Sequence, residues 1–578
     1  MARTTSDQLV EMLVDAGVKH IYAVTGDSLN EVNDAVRRNG KIKWIHVRHE
    51  EAGAYAAGAE GLLNGLGCCA GSSGPGHVHL INGLYDAQRS SAPVLAIAST
   101  IMSSDYGSGS FQETNTIKLF DDCSYYNQLA TTPEQLPRML QFALQHAISK
   151  KGVSVLGLPG DLTKKEAVKS ATADKIYPTN PVIRPSVDEL NDLAGYLNKC
   201  NKITIFCGKG AEDAHPLVLE LSARLKAPVG YSFIGKMAIQ HHNPNEVGMT
   251  GLLGLPSAYH AMHEAELVLL LGTDFPYIAF IPDDKVILQI DTRPERLGRR
   301  AKLAQGFCGT IKDTLEALLP LLDNKTEDGF LKGQLALYEK VKERMKTYVE
   351  DKGGKDAIHP EYVAHEIDKA ASDDAIFTVD TGMSCVWGAR YINATGGRQM
   401  LGSFTHGSMA NALAQAIGAS LAQPGRQVIA FCGDGGLSML LGDLATVRQY
   451  DLPIKIFVFN NRSLGMVKLE MQVAGLPDWQ TDMHNPDFAM VAQAHGIPGL
   501  NVHDSGEVEN AIRLALNTEG PYLVNLFTDP NALAMPPKVE FEQVKGMALS
   551  MTKLVLDGKM DEVLDLVKSN YKHIKDVF

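Results

Sequence analysis

The chain has few cysteines able to pair, a small basic complement and no long apolar run. Its eight cysteines, at positions 68, 69, 123, 200, 207, 308, 385 and 432, include no C-x-x-C pair and no zinc-like histidine spacing. That argues against a disulfide scaffold or structural zinc, and the thiols are expected to be buried and reduced. Lysine and arginine number 54 against 67 acidic side chains, a formal charge of −13. Such a surface repels phosphate backbones, so nucleic acid is not an expected partner. No stretch reaches the roughly 18 apolar residues that span a bilayer. Asp7, Glu11 and Asp15 stand where a secretory signal needs a basic start and an apolar centre, which makes a cytoplasmic protein the expectation. Aromatics are only 7% of the chain, yet 45% of its 578 residues are hydrophobic and 53 are glycine. At ~150 residues per domain this length suits about three to four domains of ordinary α/β composition.

Short runs rich in Val, Ile and Leu recur, each followed by a glycine turn and a helical stretch. They include HIYAV before Gly26, PVLAIA from Pro93, ITIFCG from Ile203, LVLLLGT from Leu267, VIAFCGDG from Val428 and IKIFVFNN from Ile454. Continuous apolar strands alternating with helices predict doubly wound parallel sheets covered on both faces. Two stretches break the rhythm: residues 177–186, with three prolines, read as a linker, and residues 323–359 are highly charged and lead into Pro360. The expected division is therefore 1–176, 187–335 and 356–540, with a tail at 541–578. Ligands of such sheets bind at the carboxyl ends of the strands, so the residues after each apolar run are the candidates.

The strongest motif is Gly433-Asp434-Gly435, then 24 residues, then Asn460-Asn461. The first part closes one predicted strand and the second closes the next, with a helical stretch from about Leu437 to Tyr450 between them. A right-handed β-α-β crossover brings both strand ends to one edge, where the Asp434 carboxylate and the Asn461 amide oxygen could share a cation. Hard oxygen donors beside glycines suit Mg²⁺, which takes its remaining ligands from water and phosphate, and Gly435 and Gly436 let a phosphate approach the backbone. The plain alternative is a tight turn and a loop. Gly26-Asp27-Ser28 is an internal control, because it also follows a strand but has an alanine, Ala54, at the matching distance.

At these residues the chain resembles the thiamine diphosphate enzymes, whose signature is GDG, some 25 to 30 residues, then NN. The resemblance implies that Asp434, Asn461 and the carbonyl of Ser463 hold Mg²⁺, with Arg462, Leu464, Gly465, Met466 and Val467 in the same cofactor-binding stretch. It gives Gly407, Ser408 and Met409 of GSFTHGSMANA a role beside the diphosphate, Met409 propping the cofactor in its bent form; plain core packing is the alternative for that methionine. The family also needs a glutamate that shares a proton with the aminopyrimidine ring in a dry pocket. Val47-Arg48-His49-Glu50-Glu51 offers two, and the family pattern of a glutamate directly after histidine points to Glu50, with Glu51 as the alternative. Gly71-Ser72-Ser73-Gly74-Pro75-Gly76 resembles the glycine-rich turn beside the pyrimidine, and His77 and His79 are expected to be structural. The family places this first domain against the third domain of another subunit, so Glu50 and Asp434 would come from different copies of at least a homodimer, commonly a homotetramer.

In the middle domain Gly208 and Gly210 follow a strand as a GxG, and Asp291 at a strand end could accept from ribose hydroxyls. Thr250-Gly251-Leu252-Leu253 and Thr273-Asp274-Phe275-Pro276-Tyr277 occupy similar turns. These segments resemble the FAD-binding stretches of the pyruvate oxidase and acetohydroxyacid synthase branch, especially the quinone-linked oxidoreductases; a domain empty of cofactor is the alternative. Acetohydroxyacid synthases carry tryptophan where this chain has Glu470, which favours oxidation of pyruvate over carboligation. Phe111-Gln112-Glu113-Thr114 is common to both branches, and Phe111, Gln112 and Glu470 are the expected contacts to substrate. Met466 stands where some quinone-linked relatives have phenylalanine. The implied reaction converts pyruvate to acetate and CO₂, with electrons passing through FAD to a membrane quinone. An oxygen- and phosphate-using oxidase and a carboligase are the alternatives.

From Lys559 the tail places Met560, Val563, Leu564, Val567, Tyr571, Ile574 and Phe578 on one helical face, an amphipathic pattern that can lie in a lipid surface. Lys559, Lys568, Lys572 and Lys575 are balanced by Asp561, Glu562, Asp565 and Asp576, and docking on the enzyme itself is equally compatible with the pattern. The resemblance to quinone-linked enzymes covers essentially the whole chain, tail included, and implies a protein peripheral at the inner face of the cell membrane.

Overall fold

The computed structural model describes residues 2–169, 175–177, 179–532, 549, 550 and 553. Within them the chain forms three six-stranded sheets, and neighbouring strands in each are parallel. The first contains β1 (His20–Ala23), β2 (Lys43–His46), β3 (Gly67–Gly71), β4 (Val94–Thr100), β5 (Tyr126–Leu129) and β6 (Val153–Pro159), in the order β2-β1-β3-β4-β6-β5. The second contains β7 (Ile203–Cys207), β8 (Val229–Tyr231), β9 (Glu246–Met249), β10 (Leu267–Leu271), β11 (Val286–Asp291) and β12 (Gln305–Cys308), in the order β12-β11-β10-β7-β8-β9. Counted within its own domain this is 3-2-1-4-5-6, the dinucleotide-binding order whose switch point lies between β7 and β10. A short hairpin, β13 (Gly353–Gly354) and β14 (Ala357–Ile358), precedes the third sheet.

The third sheet contains β15 (Ile376–Val379), β16 (Gln399–Gly402), β17 (Val428–Gly433), β18 (Ile454–Asn460), β19 (Gly499–Val502) and β20 (Tyr522–Phe527), in the order β16-β15-β17-β18-β20-β19. Numbered from its own first strand, that order is the same as in the first sheet. The central strands are buried along their whole length, as in β4 and β18, which is why the sequence shows unbroken apolar runs instead of alternation.

One apolar core runs through the first and third domains, joined where the Glu50–Asn64 helix packs on the Asn411–Ala422 helix. The contact is backbone-close: a Cβ on Gly418 would lie 2.1 Å from the Ala56 carbonyl oxygen. Small side chains on both helices are what allow it. The middle sheet has a core of its own. The charged stretch between the middle and third sheets is not a plain linker. It holds a 22-residue helix, Gly329–Glu350, that crosses residue 335, where the sequence suggested a boundary. Its buried stripe of Leu331, Gln334, Tyr338 and Val341 accounts for this, and Tyr338 Oη donates to Glu246 Oε1 at 3.1 Å beneath the middle sheet.

All eight cysteines are free, and burial pushes the thiols of Cys69 and Cys207 above their ordinary range. No helix among the described residues is long and apolar enough to cross a membrane. The amphipathic face expected beyond Lys559 lies outside the described residues.

Candidate active site

Gly433 ends β17 and Asp434 begins a short helix, Asp434–Met439, so the glycine-rich motif is itself a helix start. The helical stretch expected from Leu437 to Tyr450 is instead two short helices, the second Leu444–Gln449, joined by a turn at Leu441–Asp443. β17 pairs with β18 so that Gly433 faces Phe459, which sets the Asp434 turn beside the Asn460-Asn461 turn. Asp434 is buried; its Oδ1 accepts from Gly435 N at 3.0 Å and its Oδ2 from Asn485 Nδ2 at 2.7 Å. Burial pushes its carboxyl up to about 6, the behaviour of an acid in a dry place that a cation would relieve.

Beyond β18, Asn461 Oδ1 accepts from Ser463 N at 3.1 Å, and Arg462 between them has φ of +55°. This kink carries the Arg462 side chain away, over the Phe527 ring at 5.9 Å and onto the Asp356 carbonyl at 3.2 Å. Asp434, Asn461 and Ser463 line one open pocket, together with Met409, Gly435, Gly436 and the run from Leu464 to Val467.

The pocket has the features a diphosphate and its metal require. A Cβ on Gly436 would stand 2.3 Å from Asp380 Oδ2, and one on Gly435 would stand 2.9 Å from the Met409 methyl, so only glycine leaves the backbone open to a ligand there. The Ser463 hydroxyl is buried without a partner among the described residues. Asp380, which the sequence reading did not single out, anchors the turn from below: Oδ1 accepts from Ala412 N at 2.9 Å and Oδ2 from Gly433 N at 3.1 Å. Gly407 and Ser408 do not line the pocket. The Ser408 hydroxyl instead meets Tyr55 Oη at 2.6 Å and Asn82 Nδ2 at 3.0 Å in the seam with the first domain.

In the first domain, Glu50 opens its helix and is buried, with Oε2 hydrogen-bonded to His79 Nδ1 at 2.9 Å. Its Oε1 faces Gly76 of the glycine-rich turn, where a Cβ would come within 3.3 Å. Glu51 instead accepts from Asn82 Nδ2 at 2.8 Å. The two histidines of the turn differ. His77 is structural, held by the Ser99 carbonyl at 2.8 Å and Thr114 Oγ1 at 2.5 Å, whereas His79 touches the candidate glutamate instead of serving the fold alone. His49 caps the helix and stacks on His79 with ring centroids 4.5 Å apart.

Every residue lining the third-domain pocket lies between Pro360 and Ala532. Glu50 is not brought to it within the single chain, and neither are Phe111, Gln112 or Glu470. Phe111 is 87% exposed. Gln112 takes φ of +63° and accepts from Ser73 Oγ at 2.7 Å. Glu470 is exposed near the end of the Gly465–Val473 helix.

In the middle domain, Gly208 and Gly210 sit at the switch point, where their added Cβ atoms would meet Gly272 at 2.5 and 2.7 Å, with Thr273 equally near Gly208. Thr250 is buried, and Gly251, at φ of +109°, admits the Phe275 and Tyr277 rings. Leu252 is exposed, and the Leu253 carbonyl accepts from Arg390 Nε of the third domain at 3.1 Å. Asp274 is committed to ion pairs with Arg299 and Arg300; Pro276 is exposed. Asp291 ends β11 buried, its carboxyl raised by burial, and accepts from Arg293 N at 2.9 Å. A dinucleotide fits this edge by strand order, by glycine at the switch point and by an acid at a strand end.

Comparison with known families matches three models in order: the N-terminal TPP (thiamine pyrophosphate) binding domain over residues 3–119, the central domain over 190–318 and the C-terminal TPP binding domain over 380–526. The chain belongs to the thiamine pyrophosphate enzyme family. Thiamine pyrophosphate is thiamine diphosphate under another name, and the first and third sheets are the two domains that bind it in this family. Within the thiamine pyrophosphate enzymes, the chain is 35% identical to YdaP of Bacillus subtilis (strain 168), provisionally named a thiamine pyrophosphate-containing protein, over 98% of this chain and 99% of that one. It is 31% identical to the pyruvate oxidase of Lactiplantibacillus plantarum, over 86% and 83% of the two chains. It is also 28% identical to the chloroplastic acetolactate synthase of Arabidopsis thaliana, over 92% and 82%.

Proposed function

We propose that the protein oxidatively decarboxylates pyruvate to acetate and CO₂, with water supplying the second carboxylate oxygen of acetate and two electrons and two protons passing through FAD to a membrane quinone. The observation that carries this reading is the pocket holding Asp434, Asn461 and Ser463, in a chain whose middle sheet has the dinucleotide-binding order. When bound, thiamine diphosphate supplies a nucleophilic carbon and a sink for the electron pair of decarboxylation, and FAD a two-electron acceptor.

The chain's own residues bind and orient. Asp434, the Asn461 amide oxygen and the Ser463 carbonyl hold Mg²⁺, and Gly435 and Gly436 admit the diphosphate. Met409, seated against Gly435, would support the bound cofactor. Glu50 holds a proton at its carboxyl toward the pyrimidine ring, with His79 fixing the orientation of Oε2. Gly208, Gly210, Thr273 and Asp291 bind FAD at the middle sheet edge.

The third-domain pocket is lined by residues of its own domain alone, which fits the family arrangement in which Glu50 is supplied by a second copy of the chain in at least a homodimer, commonly a homotetramer. Glu470, acidic where acetohydroxyacid synthases have tryptophan, favours oxidation over the joining of two keto acids. Electron delivery to quinone places the enzyme at the inner face of the cell membrane, with the tail beyond residue 541 as its lipid contact.

Anaerobic mixing with pyruvate tests the reading. The flavin is expected to bleach and to recover faster with a quinone analogue than with oxygen, without phosphate and without acetolactate. Acetyl phosphate formed only with oxygen and phosphate, or acetolactate formed without bleaching, would overturn it in favour of the oxygen-using oxidase or the carboligase.

A further inference from the structure

Beyond β4 the chain reads SSDYGSGSFQETN from Ser103, a run of serines and glycines with little intrinsic order. Gly107 and Gly109 both take the left-handed conformation, at φ of +84° and +72°. Phe111 in this loop is 87% exposed, while Tyr106 is partly buried.

What closes it is Glu113. Its Oε1 accepts from Gly107 N at 2.7 Å, and its Oε2 accepts from Gly109 N at 2.9 Å and Ser110 N at 3.0 Å. Three backbone N–H groups converging on one carboxylate form an anion nest, here filled by the chain itself. The Gly107 bond foremost, with those of Ser110 and Gly109, holds the Glu113 carboxyl below its usual range, so it stays ionised at neutral pH.

The neighbours of Glu113 show what the nest is for. Gln112 presses on Gly74 of the glycine-rich turn, where a Cβ would lie 2.8 Å from that of Gln112, and its Oε1 accepts from Ser73 Oγ at 2.7 Å. Thr114 Oγ1 meets the buried His77 at 2.5 Å. The same turn carries Gly76 against Glu50. Glu113 therefore lies between the anchored Gln112 and Thr114, with the displayed Phe111 one residue before Gln112.

We propose that Glu113 is a positioning residue, its carboxylate locking residues 105–113 so that Phe111 and Gln112 face the keto acid in one geometry. This rests on the reading of the protein as a pyruvate-converting enzyme. Removing the carboxylate leaves three N–H groups to water and releases two left-handed glycines. The loss falls on substrate alignment and not on the diphosphate pocket, which lies in the other domain.

Hydrogen exchange of the Gly107, Gly109 and Ser110 amides in the cofactor-free protein, with steady-state kinetics on the reconstituted enzyme, tests this. Glu113→Ala is expected to speed exchange at these amides by at least about tenfold and to raise KM for pyruvate by about tenfold. Thiamine diphosphate affinity should stay within about twofold of the wild type. Glu113→Gln, which keeps one acceptor oxygen and folds if the alanine variant does not, is expected to fall between. Amides that exchange at the wild-type rate in both variants, or loosened amides with an unchanged KM, would overturn the proposal. Wild-type protein that does not turn over pyruvate would overturn the functional reading instead, so the two failures are distinguishable.

Discussion

The first and third domains are the same sheet used for two different purposes. Both follow one strand order, and in both the loop after the first strand packs against the loop after the third. In the first domain a glycine makes room for a serine: a Cβ on Gly26 would lie 2.4 Å from Ser72. In the third domain a glycine makes room for an acid, Gly436 for Asp380. The acids after the two first strands have opposite fates, Asp27 exposed and Asp380 buried. Topology fixes where a ligand edge lies, and a few side chains decide whether it presents oxygen donors suited to a metal and diphosphate or a buried carboxyl. The structural counterpart of Gly433-Asp434 is thus Gly71-Ser72, after β3, and not the similar-looking Gly26-Asp27 after β1.

Breaking the first-domain half should cost the most. Glu50→Gln is expected to lower pyruvate turnover by about a thousandfold while thiamine diphosphate still binds, which calorimetry beside steady-state assays would check. Breaking the third-domain half should act on binding: Asp434→Asn is expected to weaken Mg²⁺-dependent cofactor affinity by at least about a hundredfold, read by titration of intrinsic fluorescence. If the two substitutions shifted the same parameter, the division of labour between the sheets would be wrong.

The seam between the halves comes next. Gly418→Val drives a side chain into the Ala56 backbone and is expected to destabilise the chain by about 3 kcal/mol, measured by chemical denaturation. Smallest is a pH effect in the same seam, where Asp86 Oδ2 accepts from Gln415 Nε2 at 3.0 Å and burial pushes the Asp86 carboxyl from 3.8 up to about 7. The folded chain keeps that proton where the unfolded chain releases it, so stability from this group is full at low pH and is lost as pH rises to about 7. Asp86→Asn is expected to raise Tm by ~2 °C near pH 8 and by less near pH 5.

Much of this was legible because the signals are local. A strand buried on both faces writes an unbroken apolar run, and a ligand edge writes glycines and oxygen donors directly after it, as at Gly433 to Gly435 and at Asn460-Asn461. What escaped depends on distant packing. Asp380 is one acid after the run IFTV, and only the approach of Gly436 gives it a task. Asn485 reaches Asp434 from a later loop. His79 looked structural because nothing in its neighbourhood in sequence points to Glu50, 29 residues away. The Gly329–Glu350 helix carries a buried stripe at spacings of 3 and 4, but the charges around it dominate the composition.

The most direct test of the central claim mixes two inactive variants. Glu50→Gln and Asp434→Asn chains, unfolded together and refolded with Mg²⁺, thiamine diphosphate and FAD, should recover pyruvate turnover, because one site of each mixed dimer receives an intact glutamate from one copy and an intact aspartate from the other. Mixtures no more active than the separate variants would contradict a catalytic centre shared between copies.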